Sequence, residues 1–177
     1  MDARVTVPEA YYADLRAALE AGPPPELDQA AALLREAGVV YTFGNGASAA
    51  LASHIATDLG KGRRLRVVSL VDNAALVTAY ANDQNYECVF EEQLRRVFRD
   101  GDVALGISGS GSSQNVLSAL AYARSAGGRT VGFTGDMPDW YRMSAVCDVL
   151  VRAPLTAIEQ IEDLHVVFAH ILMRMLA

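Results

Sequence analysis

Short β-rich apolar runs alternate with longer stretches of helical periodicity along most of the chain. Val39–Phe43 (VVYTF), Leu65–Leu70 (LRVVSL), Val103–Ile107 (VALGI), Thr130–Phe133 (TVGF) and Asp148–Val151 (DVLV) read as five strands. Helices are predicted from about Ser48 to Leu59, over Ser113–Ser125, and from about Thr156 to Leu176, with Gly127-Gly128 as the stop before the fourth strand. Such alternation is the signature of an α/β fold whose parallel sheet is covered on both faces.

Two stretches depart from a bare doubly wound sheet. Residues 1–37 hold two helical patterns, Glu9–Ala21 and Pro25–Ala37, split by Gly22-Pro23-Pro24-Pro25. The stretch Asp72–Arg99, between the second and third strands, carries helical periodicity at Phe90, Leu94, Val97 and Phe98. A helical pair at the start and a long helical crossover suggest a fold that packs against copies of itself. No internal repeat or low-complexity segment interrupts the 177 residues, which are read as one domain large enough to bury its own core.

Hydrophobic residues make up 51% of the chain, too many for a disordered protein. No apolar run reaches the roughly 18–20 residues of a membrane span, and the charged N-terminus has no signal-peptide core. Cys88 and Cys147 lie far apart without metal-knuckle spacing, so reduced thiols and a cytoplasmic location are expected. A net charge of −6 argues against nucleic acid as the ligand. It leaves room for a small phosphorylated molecule held by backbone N–H groups and helix N-termini. Lys61 is the only lysine, which with the abundant alanine reflects codon usage rather than chemistry.

The segment Gly106-Ile107-Ser108-Gly109-Ser110-Gly111-Ser112-Ser113 follows a strand and precedes a helix. That is the carboxyl end of a parallel strand, where open α/β sheets bind ligands. Its four serines offer hydroxyl donors. Gly109 and Gly111 let the backbone turn so that N–H groups converge on an anion, and the following helix adds its dipole. It matches neither the Walker loop nor the GxGxxG fingerprint; a plain Gly/Ser turn with Ser112 or Ser113 as helix cap is the competing reading. Gly44-Asn45-Gly46-Ala47-Ser48 follows the first strand in the same way, and two such turns point to one shared site.

The chain has three histidines, His54, His165 and His170. His54 has Asp58 one helical turn on, while His165 and His170 share the last helix with Glu159 and Glu162. A shared acid/base or metal site can be built from these groups. Glu162 and His170 are separated by about 12 Å along a helix axis, and His165 competes with His170 for the same role. Ala81-Asn82-Asp83-Gln84-Asn85-Tyr86 reads, taken alone, as a capped helix connection.

In order, GNGASAALASHIATDL (Gly44–Leu59), AYANDQNYECVFEEQL (Ala79–Leu94), GDVALGISGSGSSQNVLSAL (Gly101–Leu120) and TAIEQIEDLHVVFAH (Thr156–His170) resemble the sugar isomerase (SIS) domain, and within it the bacterial phosphoheptose isomerase (sedoheptulose 7-phosphate isomerase) family. The serine loop is common to many SIS proteins. GNGxSA with a histidine six residues after its serine, NDxxY and a terminal H-x4-H are more specific. The resemblance implies a three-layer αβα sandwich on a five-stranded parallel sheet, flavodoxin-like or Rossmann-like. It also implies a homotetramer with active sites at subunit interfaces, in which residues 1–37 serve oligomer packing. Ser108, Gly109, Ser110 and Ser113 would bind phosphate, Asn45, Gly46 and Ser48 the sugar phosphate, and Asn82 and Asp83 the substrate. Asp58 would be the base, His170 its acid partner and Glu162 a second candidate base. His54, Asp58, Glu162 and His170 match positions that bind zinc in some members, so zinc or another divalent ion is the implied cofactor.

The implied reaction is aldose–ketose isomerisation through a cis-enediol, sedoheptulose 7-phosphate giving D-glycero-D-manno-heptose 7-phosphate. This chain departs from the family where Asp58 replaces a glutamate, Glu162 a glutamine, Glu159 an aspartate and Gly109 a threonine, and where Lys61, Arg63 and Arg64 stand for a longer basic stretch. Alternative readings are an isomerase of a longer or modified sugar phosphate in a specialised pathway, and a non-catalytic SIS protein that senses a sugar phosphate.

Overall fold

The computed structural model describes residues 7–63 and 65–176, so Arg64 and the side chain of Arg63 lie outside the described residues, as do residues 1–6 of the N-terminal segment. Five strands, β1 (Val40–Gly44), β2 (Val67–Ser69), β3 (Val103–Ile107), β4 (Arg129–Thr134) and β5 (Val149–Arg152), pair in parallel in the order β2-β1-β3-β4-β5. Helices α1 (Val7–Glu20), α2 (Glu26–Glu36), α3 (Ala47–Arg63) and α8 (Ile158–Met175) cover one face of the sheet. Helices α4 (Ala74–Asp83), α5 (Glu91–Val97), α6 (Gln114–Ser125) and α7 (Tyr141–Ser144) cover the other. The expected three-layer sandwich is therefore present.

Strand periodicity explains the two cores. Val103, Leu105 and Ile107 of β3 point to the α3/α8 layer, whereas Ala104 points to the α5/α6 layer. Gly106 keeps that second side thin: a Cβ there would come within 3.0 Å of Leu120 Cδ1 and Val116 Cγ1, so its absence lets α6 settle close to the sheet. On β1, Tyr41 and Phe43 face the second core, while Thr42 in the first is satisfied by donating its hydroxyl to Ala52 O at 2.8 Å. Central strands match their expected limits within a residue. The second shrinks from Leu65–Leu70 to Val67–Ser69, because as an edge it has one partner and leaves Val68 45% exposed. The crossover after it contains α4, a 3-10 turn at Tyr86–Cys88, and α5. The four-residue α7 is too short to show a helical period, and the sequence pattern does not predict it.

Helix α1 buries none of its residues and is attached to α8 by polar contacts. Tyr11 donates its hydroxyl to Asp163 Oδ2 at 2.6 Å, and buried Gln160 donates to Tyr11 O at 3.0 Å. The hydrogen bond to Asp163 pushes the Tyr11 hydroxyl pKa up to about 12.

His165 lies fully buried on the core face of α8, between Phe133 and Phe168 at ring-centre distances of 5.7 and 6.4 Å. Neither ring nitrogen has a well-formed hydrogen bond, although the Thr134 backbone approaches it. Burial therefore dominates and lowers its pKa to about 4, keeping the ring neutral. A histidine ionising near 6.5 when unfolded and near 4 when folded contributes stability that is complete above the higher value. That contribution is lost as pH falls through the window to the lower value, by about 3 kcal/mol in all. Urea unfolding between pH 7 and pH 4 is expected to show this loss in the wild type and its absence in His165→Leu. Equal slopes in the two proteins would rule the assignment out.

Candidate active site

β1 and β3 are neighbours in the sheet, yet the chain leaves β1 toward α3 on one face and β3 toward α6 on the other. A parallel sheet opens a crevice at such a reversal. The loops that follow the two strands, Gly44–Ser48 and Ser108–Ser113, stand on either side of it.

The serine loop is drawn into a compact cluster of hydroxyls. Ser108 Oγ donates to Ser113 Oγ at 3.0 Å and lies 3.4 Å from Ser110 Oγ, to which Ser112 Oγ donates at 3.1 Å. Ser113 occupies the N-cap of α6 but its hydroxyl is used by Ser108, not by a helix amide. The backbone N–H groups of Ser110, Ser113 and Gln114 meet no acceptor among the described residues. Hydroxyls, free amides and a helix N-terminus in one place are groups suited to a phosphate-sized anion, which makes the loop a candidate site for one.

Two glycines shape this loop for different reasons. Gly111 has φ +70°, and a Cβ on it would lie 2.6 Å from Trp140 Cα and 2.9 Å from Thr134 Oγ1. Gly109 is required by a neighbour: a Cβ there would run into Ile158 Cδ1, at the start of α8. Ile158 thus fills space against the loop while remaining 40% exposed. The departure at Gly109 has a partner that sequence reading did not pair with it.

Across the crevice, Asn45 and Asn115 form a reciprocal amide pair, each Nδ2 donating to the other Oδ1 at 2.9 Å. Tyr86 adds its hydroxyl to Asn45 Oδ1 at 3.0 Å. Asn115 was not singled out from the sequence, and Tyr86 only as the last residue of the NDxxY motif, with no role of its own. An asparagine in the first turn of a helix, a poor helix former there, is the available signal for the first. Gly46, beside Asn45, turns the loop with φ +57°. Ser48 is buried and lines a cavity of about 230 Å³ with Leu51, Glu162, Asp163 and His165. Asn82 and Asp83 are exposed at the end of α4 and bonded to each other, Asn82 Nδ2 donating to Asp83 Oδ1 at 2.9 Å.

The expected acid/base residues meet where α3 packs on α8. His54 Nε2 lies 3.0 Å from His170 Nε2 and 3.4 Å from Asp58 Oδ2, and one donor atom from each of the three falls within 4.8 Å of the others. Two nitrogens that close share one proton, so one ring donates while the other accepts. His54 and His170 are exposed and Asp58 is half-buried. Glu162 stands outside this trio, in the cavity beside Ser48. The competition between the two C-terminal histidines is resolved by position, His170 joining the trio and His165 the core. Two imidazoles and a carboxylate at this spacing are a donor set suited to a divalent ion of the zinc type.

Residues 11–135 match the family model described as the SIS domain. The phosphoheptose isomerase of Paramagnetospirillum magneticum is 39% identical over 144 residues, which cover 78% of this chain and 74% of that protein. The structure of the Neisseria gonorrhoeae phosphoheptose isomerase superposes with a TM-score of 0.88 at 30% identity, covering 95% of this chain and 96% of that one. A phosphoheptose isomerase structure from Francisella tularensis gives 0.87 at 24% identity, covering 99% of this chain and 98% of that one, a likeness of fold. The fold and the crevice thus define a SIS-domain protein. Within that class, the chain belongs to the phosphoheptose isomerase family.

Gly111→Ala is expected to retain its far-UV spectrum yet weaken binding of inorganic phosphate, measured by titration calorimetry, by about five- to thirtyfold. The free loop would relax out of the left-handed conformation, and recovering it on binding costs a non-glycine residue roughly 1–2 kcal/mol. Unchanged phosphate affinity would remove the serine loop from the anion site.

Proposed function

We propose that this chain catalyses aldose–ketose isomerisation of sedoheptulose 7-phosphate to D-glycero-D-manno-heptose 7-phosphate. The observation that carries the reading is the joint presence of the serine-loop anion site and the His54–Asp58–His170 trio in a member of this family. In this reading the phosphate is held by Ser108, Ser110, Ser113 and the free amides of their loop, with Asn45, Gly46 and Ser48 along the sugar. Asn82 and Asp83 supply further polar contacts from the end of α4.

Asp58 Oδ2 takes the proton from the carbon next to the carbonyl and returns it one carbon along. His170 Nε2 gives a proton to the carbonyl oxygen and recovers one from the neighbouring hydroxyl, so that the overall proton count is unchanged. His54, one turn before Asp58 and in contact with both groups, fixes the carboxylate and the second imidazole relative to each other. Asp58 is one methylene shorter than the family's glutamate, and its closeness to His54 on the same helix face is the geometry that shortening favours. Glu162 is the second candidate base, reaching the sugar from the cavity beside Ser48.

His54, Asp58 and His170 would hold zinc or another divalent ion, an alternative to the direct proton transfer by Asp58 and His170. Glu162, the expected fourth ligand, stands outside this donor set and would have to reach in from the cavity beside Ser48. When bound, such an ion polarises a carbonyl and stabilises enediolate charge. Substitution of glutamine by Glu162 makes the surroundings more anionic, which favours a cation.

A second reading, isomerisation of a longer or modified sugar phosphate, is favoured by the exchange of a loop threonine for Gly109 with Ile158 against it. That exchange replaces a hydroxyl with an apolar contact. The reaction belongs in the cytoplasm, in keeping with the two unpaired thiols Cys88 and Cys147. Among the described residues no helix is long and apolar enough to cross a membrane.

Residues 1–37 would serve oligomer packing in this reading. Tyr12 and Leu19 of α1 are 67% and 55% exposed and line an apolar groove of about 530 Å³ with Leu15, suited to a second copy of the chain. A second copy seated on that groove would lie against the helical layer that also carries His54 and His170.

Purified protein given sedoheptulose 7-phosphate, with and without zinc, is expected to form the aldose when followed by NMR. Asp58→Asn and His170→Ala should each lower kcat by about a hundredfold or more, the usual weight of a general acid or base. Zinc content, measured by elemental analysis, should fall in His54→Ala. Absence of turnover in both conditions, with sugar phosphate still bound, would favour a sensor instead. For the assembly, a Tyr12→Glu/Leu19→Glu variant is expected to sediment as a smaller species than the wild type; identical sedimentation would clear α1 of that role.

A further inference from the structure

The Asn45–Asn115 pair has an orientation that can be read atom by atom. The backbone N–H of Val116 is shared between Ser113 O and Asn115 Oδ1, each at 3.0 Å, and an Nδ2 group in place of that Oδ1 would set donor against donor. That fixes which end of the Asn115 carboxamide is which. Asn115 Oδ1 then accepts from Asn45 Nδ2, and Asn115 Nδ2 donates to Asn45 Oδ1, both at 2.9 Å. The remaining lone pair of Asn45 Oδ1 is filled by the Tyr86 hydroxyl at 3.0 Å.

One hydrogen of Asn45 Nδ2 has no partner among the described residues. The Asn45 carbonyl is thus fully used, and its only free function at the crevice is a single N–H donor. Such a donor suits an acceptor oxygen, of a phosphate or a sugar, and a flipped amide would present a repelling oxygen instead.

We propose that Asn115 and Tyr86 are positioning residues that lock the Asn45 carboxamide with its unused N–H toward a substrate oxygen. The inference rests on the sugar-phosphate isomerase reading, in which Asn45 touches substrate. The lock has three origins in the chain: the loop after β1, the first turn of α6, and the crossover turn at Tyr86–Cys88. Asn115 is 3% exposed and reads its orientation from the backbone of α6, so it acts as the rigid reference. Tyr86 is 54% exposed and reaches Asn45 only through its hydroxyl, which makes it the adjustable member. It also brings the turn that follows Asn82 and Asp83 onto the same crevice. Tyr86 also lines, with Asn45, Gly46, Val71, Val77 and Phe90, a cavity of about 220 Å³ on the loop after β1, a contact that phenylalanine would keep.

Tyr86→Phe therefore deletes the hydroxyl alone. It is expected to raise KM for sedoheptulose 7-phosphate about three- to tenfold, the usual weight of one hydrogen bond, with kcat changed less than KM and the melting temperature unaltered. In an Asn45→Ala background the same substitution is expected to have no further effect, because the group it orients is gone. A KM that does not change, or one that rises equally in the Asn45→Ala background, would overturn the proposal. A readout independent of substrate is the Asn45 carboxamide in ¹⁵N-labelled protein, assigned by its loss in Asn45→Ala. Its two protons should be well separated and slow to exchange in the wild type, and move toward solvent-averaged behaviour in Tyr86→Phe. Should the wild type fail to convert sedoheptulose 7-phosphate, the isomerase reading falls. The amide comparison then decides the lock on its own, identical signals in the two proteins counting against it.

Discussion

A parallel sheet with the order β2-β1-β3-β4-β5 must send its crossovers to opposite faces once the chain passes from the β1 side to the β3 side. The helices that follow those two strands diverge, and no helix covers the gap between their first turns. Loop amides and hydroxyls at that gap face a crevice rather than a packing partner. The rest of the site depends on this opening. The proposed anion-binding groups come from the start of α6, in one helical layer, while Asp58, His54 and His170 come from α3 and α8 in the other. A bound molecule that touches both must straddle the top of the sheet, its phosphate on one side and its reacting carbons on the other. Among the described residues, the Asn45–Asn115 pair is the direct side-chain link across that gap, joining the loop after β1 to the first turn of α6.

Phosphate recognition at the proposed site would need no formal positive charge from the loop. The protein is acidic overall, and the serine cluster acts through hydroxyls, peptide N–H groups and a helix end. Such donors work at hydrogen-bond range and in fixed directions, so they select by shape more than by long-range attraction. Rigidity therefore matters. The hydroxyls bond to one another, Gly111 lets Trp140 press against the loop, and Ile158 takes up the space left free at Gly109. Those constraints come from three separate segments of the chain. The loop is preorganised by its neighbours as much as by its own sequence.

How much of this was legible without coordinates depended on range. Strands and helices follow local periodicity, and the central strands were placed within a residue because their apolar runs are uninterrupted. The serine loop was legible for the same reason, since its chemistry is contiguous. His165 and His170 required a helical wheel. Ile161, Leu164, His165, Phe168, Ala169 and Leu172 form one buried stripe at spacings of three and four, and His165 falls on it while His170 does not. The signal was present in the residues around the histidine rather than in the histidine itself. The Asn45–Asn115–Tyr86 contacts and the Gly109–Ile158 fit left no such trace. Each joins segments separated by 41 residues or more, and each is made by side chains of ordinary type. Only the resemblance, which marks the NDxxY segment as part of a site, drew attention to the turn that carries Tyr86.

The two ends of the site differ in completeness, and the difference bears on how the fold is used. At the phosphate end Ser108 and Asn115 are buried and every side chain of the cluster has a partner within the chain. At the proposed reacting end His54 and His170 are exposed, and the Asp58 carboxylate beside His54 is half-buried. Proton abstraction from carbon benefits from exclusion of water, which strengthens each electrostatic contact and protects an enediol from side reactions. A single chain supplies the groups but not the cover. The exposed apolar side of α1, attached to α8 through Tyr11, Asp163 and Gln160, lies on the same layer that carries the trio. A second subunit on that layer would bury the exposed Tyr12 and Leu19 of α1. If it also extended over His54 and His170, oligomer packing and catalysis would be served by the same helical layer, and the helices that precede β1 would have a reason to be there.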